Sequence, residues 1–391
     1  MRAASVSDYR ELARRRLPKI FFEYIDGGSY AEETLRRNVA DLEVIALRQR
    51  VMRDMSQLDM SVQLLGQTLS MPVGLAPVGM AGMYARRGEV QAARAAAAAG
   101  VPFCLSTVGV CSVEEVARGA QAPWFQLYML KDRGYMRELL ARAKDLGCPV
   151  LVFTVDLPTP GARYRDVRSG FTGGTRLEAA LAQLRDGVTH PAWTWDVFVN
   201  GRPHTLGSVA GAVKESRRVT DFLSWIARNF DRSVTWKDLD WVRETWDGPI
   251  VVKGVLDPDD ARDAVRAGAQ GLVVSNHGGR QLDGVRSSIS ALPRIVEAVG
   301  DDLEVFMDGG VRSGLDVLKA LSLGAKACFL GRAWAYALGA GGEAQVARML
   351  ATIRSELAVA MILTGCRSAR AAGPELLDGL DRPSVSRPNR S

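Results

Sequence analysis

Apolar residues in this chain gather into short continuous runs rather than alternating with polar ones. Eight such runs, rich in branched and aromatic side chains, lie at 73–76, 101–106, 124–129, 149–155, 249–255, 271–276, 304–309 and 327–331. Between most of them the spacing changes to a helical period, as at 89–99, 135–146, 258–267 and 315–323. Strands apolar on both faces, alternating with helices, predict a parallel sheet covered on its outside. Eight units of this kind predict an α/β fold, a closed (β/α)8 TIM barrel, with a doubly wound open sheet as the alternative. The expected organisation is one domain over 1–391, with a helical N-terminal segment, a barrel over about 70–360 and a long insertion after strand four, about 165–248.

The polar residues at the ends of these runs favour the barrel. In strand order they are Pro77-Val78-Gly79, Ser106-Thr107, Gln126 and Tyr128, Thr154 and Asp156, Lys253, Ser275 and His277, Asp308-Gly309-Gly310, and Gly331-Arg332. A barrel gathers all of them around one mouth, whereas an open sheet divides them between two sides of a crevice.

Composition narrows the class. The chain has 391 residues, 47% of them hydrophobic, so it has enough apolar surface for a large globular core. Residues 1–19 carry Arg10, Arg14, Arg15 and Arg16 and lack the apolar stretch of a secretory signal. No run approaches the roughly 20 apolar residues of a spanning helix. Five cysteines without C-x-x-C spacing argue against a disulfide framework or zinc site and fit a reducing cytosol. The net charge of +6 is spread along the chain rather than gathered in basic blocks, which speaks against a nucleic-acid partner.

Barrel enzymes often hold a phosphate between the loops after strands seven and eight. Asp308-Gly309-Gly310-Val311-Arg312 and Gly331-Arg332 stand at those two places. No G-x-G-x-x-G opens a helix after the first strand, and no Walker loop is present, so a mononucleotide such as FMN fits better than a dinucleotide. Of the three histidines, His190 and His204 lie in a segment punctuated by Trp, Gly and Pro and read as ordinary loop residues. His277, in "SNHGGRQLDG", follows a buried strand and precedes two glycines and Arg280. A histidine near working pH can take a proton, and arginine grips a carboxylate through paired hydrogen bonds. Arg163, on a loop stiffened by Pro158 and Pro160, supplies a second guanidinium, so the expected substrate is an organic acid.

"SNHGGRQLDG", together with "YIDGG", "APVG", "FQLY", "TVDLPTPGARYRD", "VVKG", "DGGVRSG" and "FLGR", resembles the FMN-dependent α-hydroxy acid oxidase/dehydrogenase family over nearly the whole chain. The wording "LRRNV", "MYARRGEVQAA" and "PTPGARYRD" is nearest to the bacterial respiratory branch of that family, which oxidises L-lactate. The resemblance implies that His277 is the base, Asp156 its carboxylate partner and Tyr128 the phenol bonding the substrate hydroxyl. It implies that Tyr24 joins Arg163 and Arg280 at the substrate carboxylate. For FMN it implies Pro77, Val78 and Gly79 under the ring, Ser106, Gln126, Thr154 and Ser275 as polar partners, and Lys253 beside the N1/C2=O edge. Asp308 would take the ribityl hydroxyls, and Gly310, Arg312, Gly331 and Arg332 the phosphate. Gly79 is a point of variation, since several family oxidases carry alanine there.

The implied reaction converts an L-2-hydroxy acid to the 2-oxo acid with FMN as electron acceptor, whether hydride or a proton leaves Cα first. Val108 and Met80 are expected to border the pocket and suit a small side chain, while mandelate stays open as a substrate. The respiratory branch implies a quinone as the onward acceptor, peripheral contact with the cytoplasmic face of the inner membrane, and a homo-oligomer. The insertion holds six of the eight tryptophans, and residues 161–230 carry ten basic and six acidic side chains. A lid and a membrane-contacting surface are compatible readings of it. An oxygen-using oxidase, a relative acting on a modified peptide and a barrel that merely stores flavin are the alternatives. The complete set of His277, Arg280, Arg163 and Tyr128 argues against the last.

Overall fold

The computed structural model describes residues 3–171, 186–211 and 228–379. Three helices come first: α1 (Val6–Arg16), α2 (Lys19–Asp26) and α3 (Glu33–Glu43). The start of α1 is fixed by a capping box between Ser5 and Asp8, and Arg14, Arg15 and Arg16 sit in its last turn, where cations suit the helix dipole. A hairpin of β1 (Val62–Leu64) and β2 (Gln67–Leu69) follows. Next come the parallel strands β3 (Val73–Leu75), β4 (Cys104–Ser106), β5 (Trp124–Leu127), β6 (Leu151–Thr154), β7 (Ile250–Val255), β8 (Gly271–Val274), β9 (Glu304–Asp308) and β10 (Ala327–Leu330). Each lies within one of the eight apolar runs.

The strands neighbour one another in sequence order, and β10 returns to pair with β3. The remaining gap is bridged where Leu75 pairs with Phe103 and its N–H donates to Pro102 O at 2.8 Å. The sheet is therefore a barrel, as the strand-end polarity predicts. Trp124, Phe306 and Phe329 pack against one another inside it, with ring centroids 5.4, 5.8 and 6.4 Å apart. The hairpin covers the N-terminal end: Trp124 Nε1 donates to Gln67 at 3.3 Å and Leu65 N–H to Glu304 at 2.9 Å, and both partners open their strands.

Outside the barrel lie α4 (Gly88–Ala98), α5 (Val113–Gly119), α6 (Arg133–Asp145), α7 (Tyr164–Arg168), α8 (Asp238–Arg243), α9 (Pro258–Arg266), α10 (Ser288–Val299), α11 (Gly314–Ser322), α12 (Arg332–Gly341) and α13 (Glu343–Thr364). In the insertion, Trp193 and Trp246 are buried, and Trp193 Nε1 donates to Met83 O at 2.8 Å. Trp225 lies outside the described residues. All five cysteines are buried and free. Among the described residues no helix is long and apolar enough to cross a membrane, and no His/Cys/Asp/Glu cluster is fit to hold a metal ion.

Candidate active site

The loop after β8 makes an unusual turn: His277, Gly278 and Gly279 all adopt left-handed backbone, with φ of 58°, 64° and 72°. Side chains at the two glycines would collide with their surroundings, a Cβ at Gly278 standing 2.7 Å from Arg332 Nη1 and one at Gly279 standing 2.5 Å from Leu35 N. The turn aims His277 into the barrel mouth, where its Nδ1 lies 2.8 Å from Asp156 Oδ1. With Nδ1 so engaged, Nε2 is the acceptor of the neutral ring. Burial lowers the imidazole below its ordinary range; Asp156 opposes this and Lys253 adds to it. Burial alone would raise the Asp156 carboxyl, but His277, by its charge once protonated and by its hydrogen bond, and the charge of Lys253 outweigh it and hold the group below its usual value. The resting pair is thus a neutral imidazole beside an ionised carboxylate, an arrangement that favours proton uptake.

Two guanidinium groups share this mouth. Arg280 lies 4.7 Å and Arg163 5.9 Å from the centroid of the Tyr24 ring. Arg280 Nη1 donates to the Tyr24 and Gly27 carbonyls at the end of α2, and Arg163 Nε donates to Arg280 O at 3.3 Å. Burial and then Arg280 lower the Arg163 guanidinium, while Asp166, 3.9 Å away, offsets only part of this. Arg163 is thus a half-buried cation whose charge is only partly compensated. Tyr128 packs on Phe230 with centroids 5.0 Å apart, and burial raises its phenol, so the hydroxyl keeps its proton and can donate.

Deeper in the mouth, Lys253 Nζ lies 3.2 Å from Asp308 Oδ2 and donates to Ser275 Oγ at 3.0 Å. Burial would lower the amine, yet Asp308 and Asp156 outweigh it, so Lys253 stays charged. Arg332 spends its guanidinium on the carbonyls of Ile25, Gly27 and Gly278, at 2.8–2.9 Å. Burial first, with Arg280 and Arg312 adding to it, pushes it down to about 9. Since arginine keeps its proton in proteins, such a shift marks a cation lacking its counter-charge. Arg332 also opens α12, whose first turn has no side-chain cap, so unsatisfied N–H groups and a cation occur together.

The residues fit FMN on one further observation. Gln126 Nε2, Thr154 Oγ1 and Asp308 Oδ1 are buried polar atoms without a partner, and such atoms are costly unless a ligand satisfies them. Ser106 serves mainly to orient Gln126, donating to its Oε1 at 3.0 Å, and Ser275 Oγ accepts from both Lys253 and His277 N.

Of the residues singled out in the sequence, Tyr24, Pro77, Val78, Gly79, Tyr128, Arg163, Lys253, His277, Arg280, Asp308, Gly310, Arg312, Gly331 and Arg332 line one cavity of about 1080 Å³, its open mouth included. Asp156, Ser106, Gln126, Thr154 and Ser275 do not line it; Asp156 and Ser275 meet it through His277 and Lys253, and Ser106 is bonded to Gln126. Val108 borders the cavity as expected. Met80 does not: its left-handed backbone (φ 56°) seats it in the core at 2% exposure. Tyr84, Leu157 and Phe230 also line it and carry no sequence signal beyond being apolar or aromatic. His190 and His204 make local contacts, to Asp186 O and Val197 O respectively, away from the mouth.

The barrel mouth gathers unpartnered buried polar atoms and cations that can take a phosphorylated ring cofactor, beside paired guanidinium groups that can take a small acid, as in a barrel oxidoreductase. The profile of the family described as FMN-dependent dehydrogenase matches residues 13–379, and the chain belongs to that family. It is 58% identical to an L-lactate dehydrogenase of Xanthomonas campestris pv. campestris (strain 8004), covering 98% of each chain. It is also 58% identical to one of Caulobacter sp. (strain K31), covering 99% of each. Among solved structures, the monotopic membrane protein (S)-mandelate dehydrogenase superposes with a TM-score of 0.89 at 32% identity, over 96% of this chain and 99% of that one. A mandelate oxidase gives a TM-score of 0.82 at 38% identity, over 96% and 98%.

Proposed function

We propose that the protein oxidises L-lactate to pyruvate and passes the electrons to a membrane quinone. The observation that carries this reading is that His277, backed by Asp156, shares one cavity with Arg163, Arg280, Lys253 and Arg332. Arg163 and Arg280 seat the substrate carboxylate, and Tyr24 packs under both guanidinium groups. Tyr128 donates to the α-hydroxyl. His277 Nε2 takes the proton released on oxidation, and Asp156 stabilises the imidazolium that forms. FMN, when bound, would supply the two-electron acceptor, and Lys253 and Arg332 would hold its ring edge and phosphate. Val108, Leu157 and Phe230 leave an apolar wall suited to a methyl group. Relatives named L-lactate dehydrogenase, 57–58% identical over the whole chain, support this substrate above mandelate.

A quinone acceptor at the cytoplasmic face of the inner membrane is supported by the monotopic neighbour and by a basic, aromatic insertion, in which Trp195 is 68% exposed. The test is anaerobic: mixing the purified yellow protein with L-lactate should bleach the flavin, and a soluble quinone should restore the colour faster than air does. Bleaching by L-mandelate alone would overturn the substrate, and faster recovery in oxygen would overturn the acceptor.

A further inference from the structure

Helix α3 lies outside the barrel, and the proposed chemistry uses none of its side chains. Its buried positions are Thr34, Asn38 and Leu42, one face at a spacing of four, and two of the three are polar. A helix that merely packs on a barrel buries an apolar stripe. A buried polar stripe is stabilising only when it is hydrogen-bonded with good geometry, and it then fixes a definite arrangement.

Of the two polar side chains, the Thr34 hydroxyl has no partner and Asn38 is bonded through both its amide atoms, and the bonds of Asn38 and of the helix backbone run to the loops that carry the site and to the helix after one of them. At its N-terminus α3 has no cap of its own, and Asp283, in the His277–Arg280 loop, accepts from Glu33 N at 3.2 Å and Thr34 N at 2.8 Å. At mid-helix, Asn38 and Asn276 form a reciprocal amide pair, Nδ2 to Oδ1 at 2.8 Å each way. The same two oxygens accept from Gly279 N and Ser288 N. Asn276 immediately precedes His277. The backbone of Asn38 also abuts the phosphate-end loop: a Cβ at Gly310, where φ is +88°, would stand 1.9 Å from Asn38 O. At the C-terminus, the buried Lys319 of α11, the helix that follows that loop, donates to Leu42 O at 2.7 Å. The helix therefore receives an anion at its start and a cation at its end, both complementing its dipole.

We propose that α3 is a strut holding the His277–Arg280 loop and the Gly309–Gly310 loop at a fixed mutual distance, with Asn38 as its central positioning residue. Through it, the seat of the cofactor phosphate and that of the substrate share one reference, so loosening the helix degrades both together. The inference rests on the FMN-dependent reading of the site. The test compares Asn38→Ala and the milder Asp283→Asn with Arg37→Ala, a control on the exposed face of the same helix. Three quantities are measured on each holoprotein: flavin retained on dilution, read by released fluorescence; the pH profile and KM/kcat split with L-lactate; and Tm. Asn38→Ala should release FMN about 10-fold more readily, raise KM about 10-fold and move the acid limb of kcat/KM up towards that of an ordinary histidine. Asp283→Asn should change FMN release and KM about 3-fold and move the acid limb the same way, and Arg37→Ala should do none of the three. A fall in Tm with unchanged flavin retention and pH profile in both variants would make α3 a mere anchor and overturn the proposal. Flavin retention is read without substrate, so inertness of the parent protein towards L-lactate would sink the substrate assignment alone.

Discussion

The burial of His277 decides when it can act as a base. Because the native environment holds the imidazole below its ordinary value of about 6.5, the ring stays neutral further into acid than a free histidine does. On titration downward, kcat/KM for L-lactate should stay level through about pH 6.5 and fall, by one proton, only below it. His277→Gln should abolish that limb and cut kcat by about 10²–10⁴, the usual contribution of a general base. A limb centred above pH 7 would contradict this. Lys253, Asp308 and His277 were legible in the sequence because a polar or ionisable side chain where a buried strand ends is expensive unless it is used, and Arg280 and Arg163 because each follows such a strand end on a loop shaped by glycine or proline. Phe230, Leu157 and Tyr84 were not, since an apolar side chain facing a ligand looks the same as one facing the core. Met80 shows the converse, as one left-handed backbone residue turns an expected pocket side chain inward.

Elements were legible where local patterning and tertiary packing agree. The barrel strands were, because burial on both faces demands continuous apolar runs. The hairpin strands β1 and β2 are three residues each, too short to show a period, and α10 carries Pro293 in its interior, which reads locally as a helix breaker. The role of α3 could not be read at all, since its partners lie 238 residues or more away along the chain. Helix α12 acts through its start, where Arg332 joins an uncapped N-terminus to three carbonyls of α2 and the His277 loop. A hydrogen bond to a charged group contributes about 1.5–3 kcal/mol, so Arg332→Gln should weaken FMN binding by about 10–100-fold. The ratio of flavin to protein after gel filtration measures this, and an undiminished ratio would remove Arg332 from the phosphate seat.

At the scale of the whole molecule, the net charge of +6 and the exposed side chains of the insertion bear on where the enzyme works. The turn Thr194–Val199, with its neighbour Trp193, is two-faced: Trp193 and Val197 are buried, whereas Trp195, Phe198 and Val199 are 68%, 47% and 45% exposed. Arg202 stacks over Phe198, 5.5 Å from its centroid, so a cation accompanies the aromatic surface. Aromatic rings of this kind favour the interfacial region of a bilayer, and each lysine or arginine near an anionic surface adds about 1 kcal/mol, an attraction screened beyond roughly 8 Å at physiological salt. The protein should therefore co-sediment with vesicles containing anionic lipid, less so in high salt, and hardly at all with neutral ones. Trp195→Ser combined with Phe198→Ser should weaken that binding about 10-fold and slow reduction of vesicle-borne quinone, while turnover of L-lactate with a soluble dye stays unchanged, because neither side chain touches the cavity around His277. Equal binding of the double variant would move the contact to another surface, and no binding at low salt would leave the enzyme to meet its acceptor from solution.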